Sequence, residues 1–423
     1  MRLYILLLVV LFAYPNFAKS QSDTLQNNPF FEKLSHFSLS GYGAMNYYNF
    51  DWQTDTAKRN VIDNERFIIQ LGYKWNDKIR LNSEIEFEHG GTGSEVEFDR
   101  FEEFGEFEFD ISKGGEVLLE QMNLEFTFKK RMHLQIGRVK VPFGLMFKQD
   151  EPTDYLTAIN SEMETQMLPE NWTDNGLLFY GHFGKKRNWQ YHVGFVNGLD
   201  GSAFNSANWI KRGNQRRFEM VNAENFAISG RLDYQFSKGA VLGFSAYGGN
   251  TTGNRPKPDL KVQTPIGIAE LHFVNQSGPV LIKSMLLYGA LGNSEALTNQ
   301  NRNLSNNLNV KRTPVGAAVL GALAEVGFTV FGQGGVLFKS WKTECLLYGR
   351  YDYYDTMFKT QGLVFNNPRW ERQSITIGSV IKIIDDVHLK LQYSLREVGA
   401  PAATSVNGGT SEKTFIGGFA FEF

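Results

Sequence analysis

The strongest constraint on the fold is an alternation of apolar and polar residues that recurs along most of the chain. In one run, Phe67, Ile69 and Leu71 alternate with Gln70 and Gly72. Since successive side chains of a strand point to opposite faces, each run predicts a β-strand with one apolar and one polar face. The runs are about 10 to 13 residues long, whereas strands of soluble domains are typically roughly 5 to 6 residues, so they fit a tilted crossing of a bilayer.

The connections between the runs alternate in length. Short ones lie at 76–77, 129–131, 185–187, 237–238, 276–278 and 385–386, and long polar ones lie near 53–64, 90–115, 143–174, 198–223, 250–263, 291–315, 354–370 and 397–411. A β-sandwich has no reason to alternate in this way, whereas tight periplasmic turns and long external loops are typical of outer-membrane barrels. We therefore predict an all-β fold, a transmembrane antiparallel β-barrel of about sixteen strands over residues 37–423.

Closure of the sheet follows from the cost of unpaired backbone groups. Each unpaired amide in lipid costs several kcal/mol, so strands can cross a membrane only when every one of them is paired. A barrel of about sixteen strands leaves an aqueous lumen, and its polar faces are predicted to line a channel. The stretch 316–342 leaves two alternatives open, since 317–326 fits a short helix or a strand and the following turn fits 332–335 or 339–342. The strand count could therefore change by two.

Both ends of the chain favour export to the cell envelope. Arg2, the apolar run 4–13 and the small residues before Gln21 predict a secretory signal peptide, residues 1–20. A membrane-anchor helix is the less favoured alternative, because the apolar run is too short to span. Residues 21–36 are predicted to be a periplasmic N-terminal tail. The final strand ends on Phe423, a terminal aromatic that resembles the assembly signal of Gram-negative outer-membrane barrels. The predicted location is therefore the outer membrane.

Composition argues against several other functions. The single cysteine, Cys345, excludes an internal disulfide, and a formal net charge of −2 argues against nucleic acid as a partner. The seven histidines are scattered, without a metal-binding spacing, and no nucleophile or phosphate-loop motif occurs. We predict no catalytic residues, no cofactor and no metal site. An outer-membrane hydrolase would need a serine–histidine pair that only the fold could assemble.

Basic residues on the polar faces are candidates for the pore lining. Fixed positive charge in a narrow, partly desolvated pore favours anions. These candidates are Arg80, Arg231, Arg350, Lys382, Lys390 and Arg396. Some have acidic neighbours in sequence, as Arg231 has Asp233, and a solvated wall charge without a selective role is the alternative for each.

The third long connection, 143–174, combines acidic residues with apolar residues at helical spacing. In wide barrels a loop of this size can fold inward and narrow the pore. Lys148, Asp150, Glu151 and Asp154 are the candidates for that constriction. The alternative is an external loop that lies over its neighbours.

The octapeptide 137–144 leads into this connection and disturbs the alternation. Arg138 and Lys140 share the parity of the apolar Ile136, so either Gly137 forms a bulge that flips the face or the strand has already left the hydrocarbon. The octapeptide, together with the strand rhythm and the terminal aromatic, resembles the phosphate-selective porin O and P family. The resemblance implies a trimeric, anion-conducting porin with a folded-in third loop and basic residues along the lumen. Arg138 and Lys140 are the positions that it carries over.

An acidic segment departs from that family. From Glu84 to Asp110 there are eleven acidic residues and one basic residue, Arg100. Over the pore entrance this segment would gather cations, whereas on the outer surface it would only be solvated.

The leading hypothesis is an outer-membrane porin for passive diffusion of small hydrophilic solutes, including anions such as phosphate. Its partners would be outer-membrane lipid, the solute and two further copies in a homotrimer. The alternatives are a substrate-specific channel for an organic nutrient, and a plugged barrel with an enzyme or adhesin role.

Overall fold

The computed structural model describes residues 33–90, 95–99, 108–112, 116–129, 131–214, 221–255, 257–304, 313–332, 335–337, 343–402 and 405–423. The predicted signal peptide and most of the predicted tail lie outside these residues. Within the described part of the chain, sixteen antiparallel strands form one closed barrel, and two further strands pair separately. The predicted all-β transmembrane barrel of sixteen strands is confirmed.

The barrel strands follow one another around the sheet in chain order. They are β1 (Phe37–Trp52), β2 (Val61–Asn76), β3 (Ile79–Glu88), β6 (Glu116–Lys129), β7 (Met132–Lys140), β8 (Thr173–Phe183), β9 (Trp189–Asn197), β10 (Phe226–Ser237), β11 (Ala240–Asn250), β12 (Pro265–Ser277), β13 (Val280–Leu291), β14 (Ala318–Phe331), β15 (Glu344–Lys359), β16 (Glu371–Ile384), β17 (Val387–Val398) and β18 (Ser411–Glu422). The separate pair is β4 (Glu95–Asp99) with β5 (Glu108–Ser112), inside the connection from β3 to β6.

The last strand closes the barrel on the first. β18 pairs with β1 from Tyr42↔Glu422 to Trp52↔Glu412, and β1 pairs with β2 on its other edge. The Phe423 ring lies 6.3 Å from the ring of Phe67 on β2. The aromatic terminus thus packs on the outside of the seam between the two ends of the sheet.

The stretch that sequence left ambiguous is a strand. β14 covers Ala318–Phe331, so the helical alternative for 317–326 is wrong. In the connection from β14 to β15, the predicted turn 339–342 lies outside the described residues, and only 332 and 335 of the alternative turn 332–335 are described. The predicted long connection 354–370 begins too early, because β15 continues to Lys359.

The two faces of the strands differ as the alternation predicts. On β16, Ile375 and Ile377 are exposed on the outer face, whereas Ser374 and Thr376 are buried on the inner face. The outer face therefore presents the apolar surface that lipid requires, and the inner face carries the polar side chains.

Two α-helices occur in the described connections, α1 (Glu162–Met167) and α2 (Ser294–Arg302). The Ser161 side chain caps α1 by accepting a hydrogen bond from the backbone N–H of Glu164. No helix in the described residues is long and apolar enough to cross a membrane.

Candidate functional site

The connection from β7 to β8, residues 141–172, is here called the β7–β8 segment. Its first turn is tied to α1, since the backbone N–H groups of Leu145 and Met146 donate to Glu164 Oε1 at 2.8 and 3.2 Å. Burial raises the pKa of the Glu164 carboxyl to about 7, against the opposing effect of these two hydrogen bonds. The segment contacts inner-face side chains of many strands, as the next four clusters show.

The first cluster holds Asp150 against the start of the barrel. The Lys140 ammonium lies 2.6 Å from Asp150 Oδ2, and Tyr42 Oη donates to the same oxygen at 3.5 Å. Arg66 Nη1 donates to the backbone carbonyl of Asp150 at 3.2 Å, while its Nη2 lies 2.6 Å from Glu86. Asp150 therefore links β1, β2 and β7.

The second cluster is formed by Lys390 on β17. Its ammonium is buried and donates to the backbone carbonyls of Pro152, Tyr155 and Thr157, the last two at 2.5 and 2.9 Å. It also lies 4.3 Å from the centre of the Tyr155 ring. A buried ammonium is tolerated only with such partners, so Lys390 fixes the middle of the segment.

The third cluster is formed by Arg350 on β15. Its Nη1 donates to Thr157 Oγ1 at 2.7 Å, and its Nη2 donates to the carbonyl of Asn160 at 3.4 Å. Asp352 lies 2.8 Å from Arg350 Nε, and Glu325 lies 3.8 Å from its Nη1. The guanidinium is therefore shared between the segment and two wall carboxylates.

The fourth cluster surrounds Asp233 on β10. Arg231 Nε lies 2.9 Å and Lys148 Nζ 2.7 Å from its Oδ2. Arg231 Nη1 donates to the carbonyl of Gly144, and Lys148 Nζ donates to Gln190 at 2.5 Å. Two predicted basic candidates thus neutralise one carboxylate.

The remaining basic candidates have different surroundings. Arg396 Nε donates to Glu412 at 2.6 Å, and its Nη1 lies 3.5 Å from Glu162. Arg80 is exposed and donates to Asn82 at 2.5 Å, close to the short-turn end. Lys382 is half-buried on β16.

The strand pairings show which face of the sheet Arg138 shares, which the sequence around Gly137 left open. Both ladders of β7 keep their register through Gly137, so the predicted bulge at this residue is wrong. Arg138 lies directly opposite Met122, whose side chain is 52% exposed, and opposite the exposed Asn175. Arg138 therefore shares the outer face of the sheet with Met122, whereas Lys140, at the strand end, reaches Asp150.

Two of the acidic candidates of the segment are accessible, whereas Asp150 is buried. Glu151 is half-buried and Asp154 is exposed. Burial, followed by the charge of Asp154, raises the pKa of Glu151 to about 7. The backbone carbonyl of Asp154 accepts a hydrogen bond from Lys283 at 3.3 Å.

Much of the acidic stretch 84–110 lies outside the described residues. Its first members lie on the inner face of β3, where Glu84 accepts from Gln121 at 2.7 Å and Glu86 pairs with Arg66. Only the backbone pairing of β4 with β5 is described for the later part.

Sequence reasoning missed an apolar cluster on the inner face of β7 to β15. Its buried members from the connections include Phe143, Met163, Met167, Trp172, Phe204 and Trp209, packed against wall residues such as Val139, Ile268, Met285 and Leu287. Glycines on the wall make room for them. A Cβ on Gly289 would lie 2.2 Å from the Trp209 ring, and one on Gly321 would lie 2.6 Å from Met167. Glycines at polar-face positions were a signal in the sequence, but it did not reveal what would fill the space.

Comparison with known proteins gives the fold but no family. No family model matches the chain. An uncharacterized protein of Aquifex aeolicus (strain VF5) is 27% identical over 212 residues, which are 50% of this chain and 43% of that protein. The chain thus covers less than half of the length of this relative.

Three solved structures share the barrel over 92% of this chain. The anion-selective porin from Comamonas acidovorans is matched over 99% of its length, at 12% identity and a TM-score of 0.53. OmpF of Salmonella typhi, in complex with daunomycin, is matched over 97% of its length, at 8% identity and a TM-score of 0.52. OmpT of Vibrio cholerae, in a trimer form, is matched over 99% of its length, at 10% identity and a TM-score of 0.51.

The fold is that of an outer-membrane porin. The predicted outer-membrane location follows from this closed barrel with its apolar exterior.

Proposed function

We propose that this protein is a porin for the passive diffusion of small hydrophilic solutes across the outer membrane. The observation that carries the proposal is a closed sixteen-stranded barrel whose polar inner face is bridged by the β7–β8 segment. A barrel of about this strand number is wide enough for an aqueous path, which a segment bound to several walls would narrow.

The β7–β8 segment is proposed to form the constriction. Asp150 is bound by Lys140 at the end of β7, and Thr157 is bound by Arg350 on β15, so the segment extends between opposite sides of the sheet. Its partly exposed carboxylates, Glu151 and Asp154, would then face the remaining path.

Selectivity for phosphate, which the family resemblance implies, receives little support from the charge arrangement. Lys140, Arg231, Arg350 and Arg396 each contact a carboxylate, and Lys390 is enclosed by carbonyls. A paired guanidinium attracts a passing anion less than an unpaired one, because its field is largely cancelled. We therefore propose a channel without a strong preference for anions.

A homotrimer is proposed as the assembly. The supporting observation is the trimer form of the Vibrio cholerae barrel, which shares the fold. Crosslinking of the folded protein in detergent would test it, with a three-chain band expected.

A narrower, substrate-specific channel is the second candidate. It is favoured by the apolar cluster on β7 to β15, which occupies space that an open pore would leave to water. Conductance that saturates with a sugar or organic acid would support this candidate, whereas conductance proportional to salt concentration would favour general diffusion.

The deciding experiment is the reversal potential of the mature protein in a planar bilayer under a KCl gradient. We expect stepwise ohmic conductance with a reversal potential near zero or slightly favouring potassium. A strong chloride preference would restore the anion hypothesis. Folded, inserted protein without any conductance would overturn the proposed function in favour of a plugged barrel.

A further inference from the structure

Five basic side chains form a cluster on two adjacent short turns. Lys129 and Arg131 flank the turn from β6 to β7, and Lys185, Lys186 and Arg187 lie in the turn from β8 to β9. All five are exposed. They are called the basic turn cluster below.

The two turns are neighbours because β7 pairs directly with β8. Met132 lies opposite Gly181, and the backbone N–H of His182 donates to the carbonyl of Arg131 at 3.3 Å. The charges of both turns therefore act on one region of the rim.

The sequence around the two turns is rich in basic residues and poor in acidic ones. Residues 126–149 and 175–198 contain no aspartate or glutamate. Other short turns differ, since Lys74 pairs with Asp77 at 2.7 Å and the turn from β16 to β17 is Asp385-Asp386. The two turns of the cluster therefore carry more positive charge than these two other short turns.

An open groove of about 440 Å³ lies at this position, lined by Lys129, Arg131, Met132, His182, Phe183 and Tyr191. Its apolar side continues onto the outer surface. Phe128 is 60% and Phe183 45% exposed, and Phe183 stacks on Trp189 with ring centres 5.7 Å apart. Outward aromatic rings at strand ends mark the membrane–water boundary of such barrels. The groove therefore joins a cationic rim to a lipid-facing wall.

We propose that this groove binds an anionic phospholipid of the periplasmic leaflet. The headgroup phosphate receives charge-assisted hydrogen bonds from the lysine and arginine side chains, and the acyl chains lie along Phe183 and Tyr191. The net negative charge of such a lipid distinguishes it from a zwitterionic lipid, in which a cationic group on the headgroup offsets the phosphate charge. The site lies outside the lumen and does not depend on conduction.

The test is native mass spectrometry of the purified full-length mature protein with graded dioleoylphosphatidylglycerol or dioleoylphosphatidylcholine. The test variant replaces Lys185, Lys186 and Arg187 with glutamine. The matched control replaces three exposed basic residues at the long-loop end, Lys58, Arg59 and Lys359, with glutamine. Heat-modifiable gel mobility establishes that each barrel is folded.

We expect the wild type and the control to retain phosphatidylglycerol in preference to phosphatidylcholine, and the test variant to bind it about tenfold more weakly. Equal retention by the test variant and the wild type would overturn the proposal, as would equal retention of both lipids. Inorganic phosphate serves as the competitor. If millimolar phosphate displaces the lipid fully, the apolar part of the groove contributes nothing to binding. That result would overturn the proposal of a phospholipid site.

Discussion

The ammonium of Lys390 donates a 2.9 Å hydrogen bond to the backbone carbonyl of Thr157, which joins β17 to the middle of the β7–β8 segment. Two further carbonyls of the segment surround the same ammonium, and only 2% of the lysine is exposed. One wall residue thus satisfies three backbone groups that would otherwise be buried without a donor. This contact therefore helps to fix the position of the proposed constriction.

Replacing Lys390 with methionine should release the segment. The change keeps the apolar stem but leaves three carbonyls unsatisfied, at about 1–3 kcal/mol for each. We expect larger and noisier single-channel conductance, together with faster proteolysis within 150–160. Lys382→Met on the neighbouring strand is the control, and it should behave as the wild type. Identical current traces for Lys390→Met and the wild type would show that the segment is not held by this residue.

Enlarging Gly321 should displace α1 from the wall. A leucine there would collide with Met163 and Met167, which lie within 2.8 Å of the position of a Cβ. Overpacking of this kind typically costs about 1–3 kcal/mol. We expect an altered conductance and a lower melting temperature. Gly267→Leu is the matched control, because nothing lies within 4 Å of its Cβ position on the outer face. A loss of stability of the same size in both variants would refute the role of α1 packing.

Lys140 and Arg138, which sequence treats alike, should differ in their effect on ion selectivity. Lys140→Gln removes the partner of Asp150 and leaves that carboxylate uncompensated, so the permeability ratio of cations to anions should rise. Arg138→Gln should leave the ratio unchanged, because the strand register places this residue on the face of Met122. The reversal potentials of both variants under a KCl gradient test this prediction. A clear shift of the reversal potential with Arg138→Gln would show that the Arg138 side chain faces the lumen.

Ion selectivity should also depend on pH through Glu151. Its pKa lies at about 7, so lowering the pH from about 8 to 6 removes a negative charge from the segment, and the cation preference should fall. Because the pKa in the folded state is above the usual carboxyl value, protonation favours the folded form, and this group should add stability as the pH falls from about 7 to 4.5. In Glu151→Gln the selectivity change over this pH range should be lost. Persistence of the full pH effect would assign it to another group.

The strands were predictable because their signal is local. Whether Ile377 faces lipid and Thr376 faces inward depends only on the period of two, and every residue of a run repeats that information. The short turns were predictable for the same reason. The helix–strand ambiguity at 317–326 arose because alanine, glycine and valine give no polar face, and pairing with β13 and β15 decided it.

The lumen was less predictable. Arg231, Arg350 and Lys390 do lie on the inner face of the barrel, as the alternation indicates, but the sequence could not show that each is already bound to a carboxylate or a backbone carbonyl. Their partners are distant in sequence, as Thr157 and Lys390 illustrate. For Arg138, a change of parity suggested a bulge, whereas the observed ladder continues without one.

The sequence by itself determined that the chain forms long two-faced strands, that the strands close into a barrel and that one face meets lipid. These properties follow from side-chain alternation and from the cost of unpaired amides in a membrane, neither of which requires distant contacts. Only the tertiary structure decided what occupies the barrel and which charges remain available there. Pairing between Lys390 and the β7–β8 segment, or between Gly321 and Met167, brings together residues that no local pattern relates, because closure of the sheet sets the distance between opposite walls.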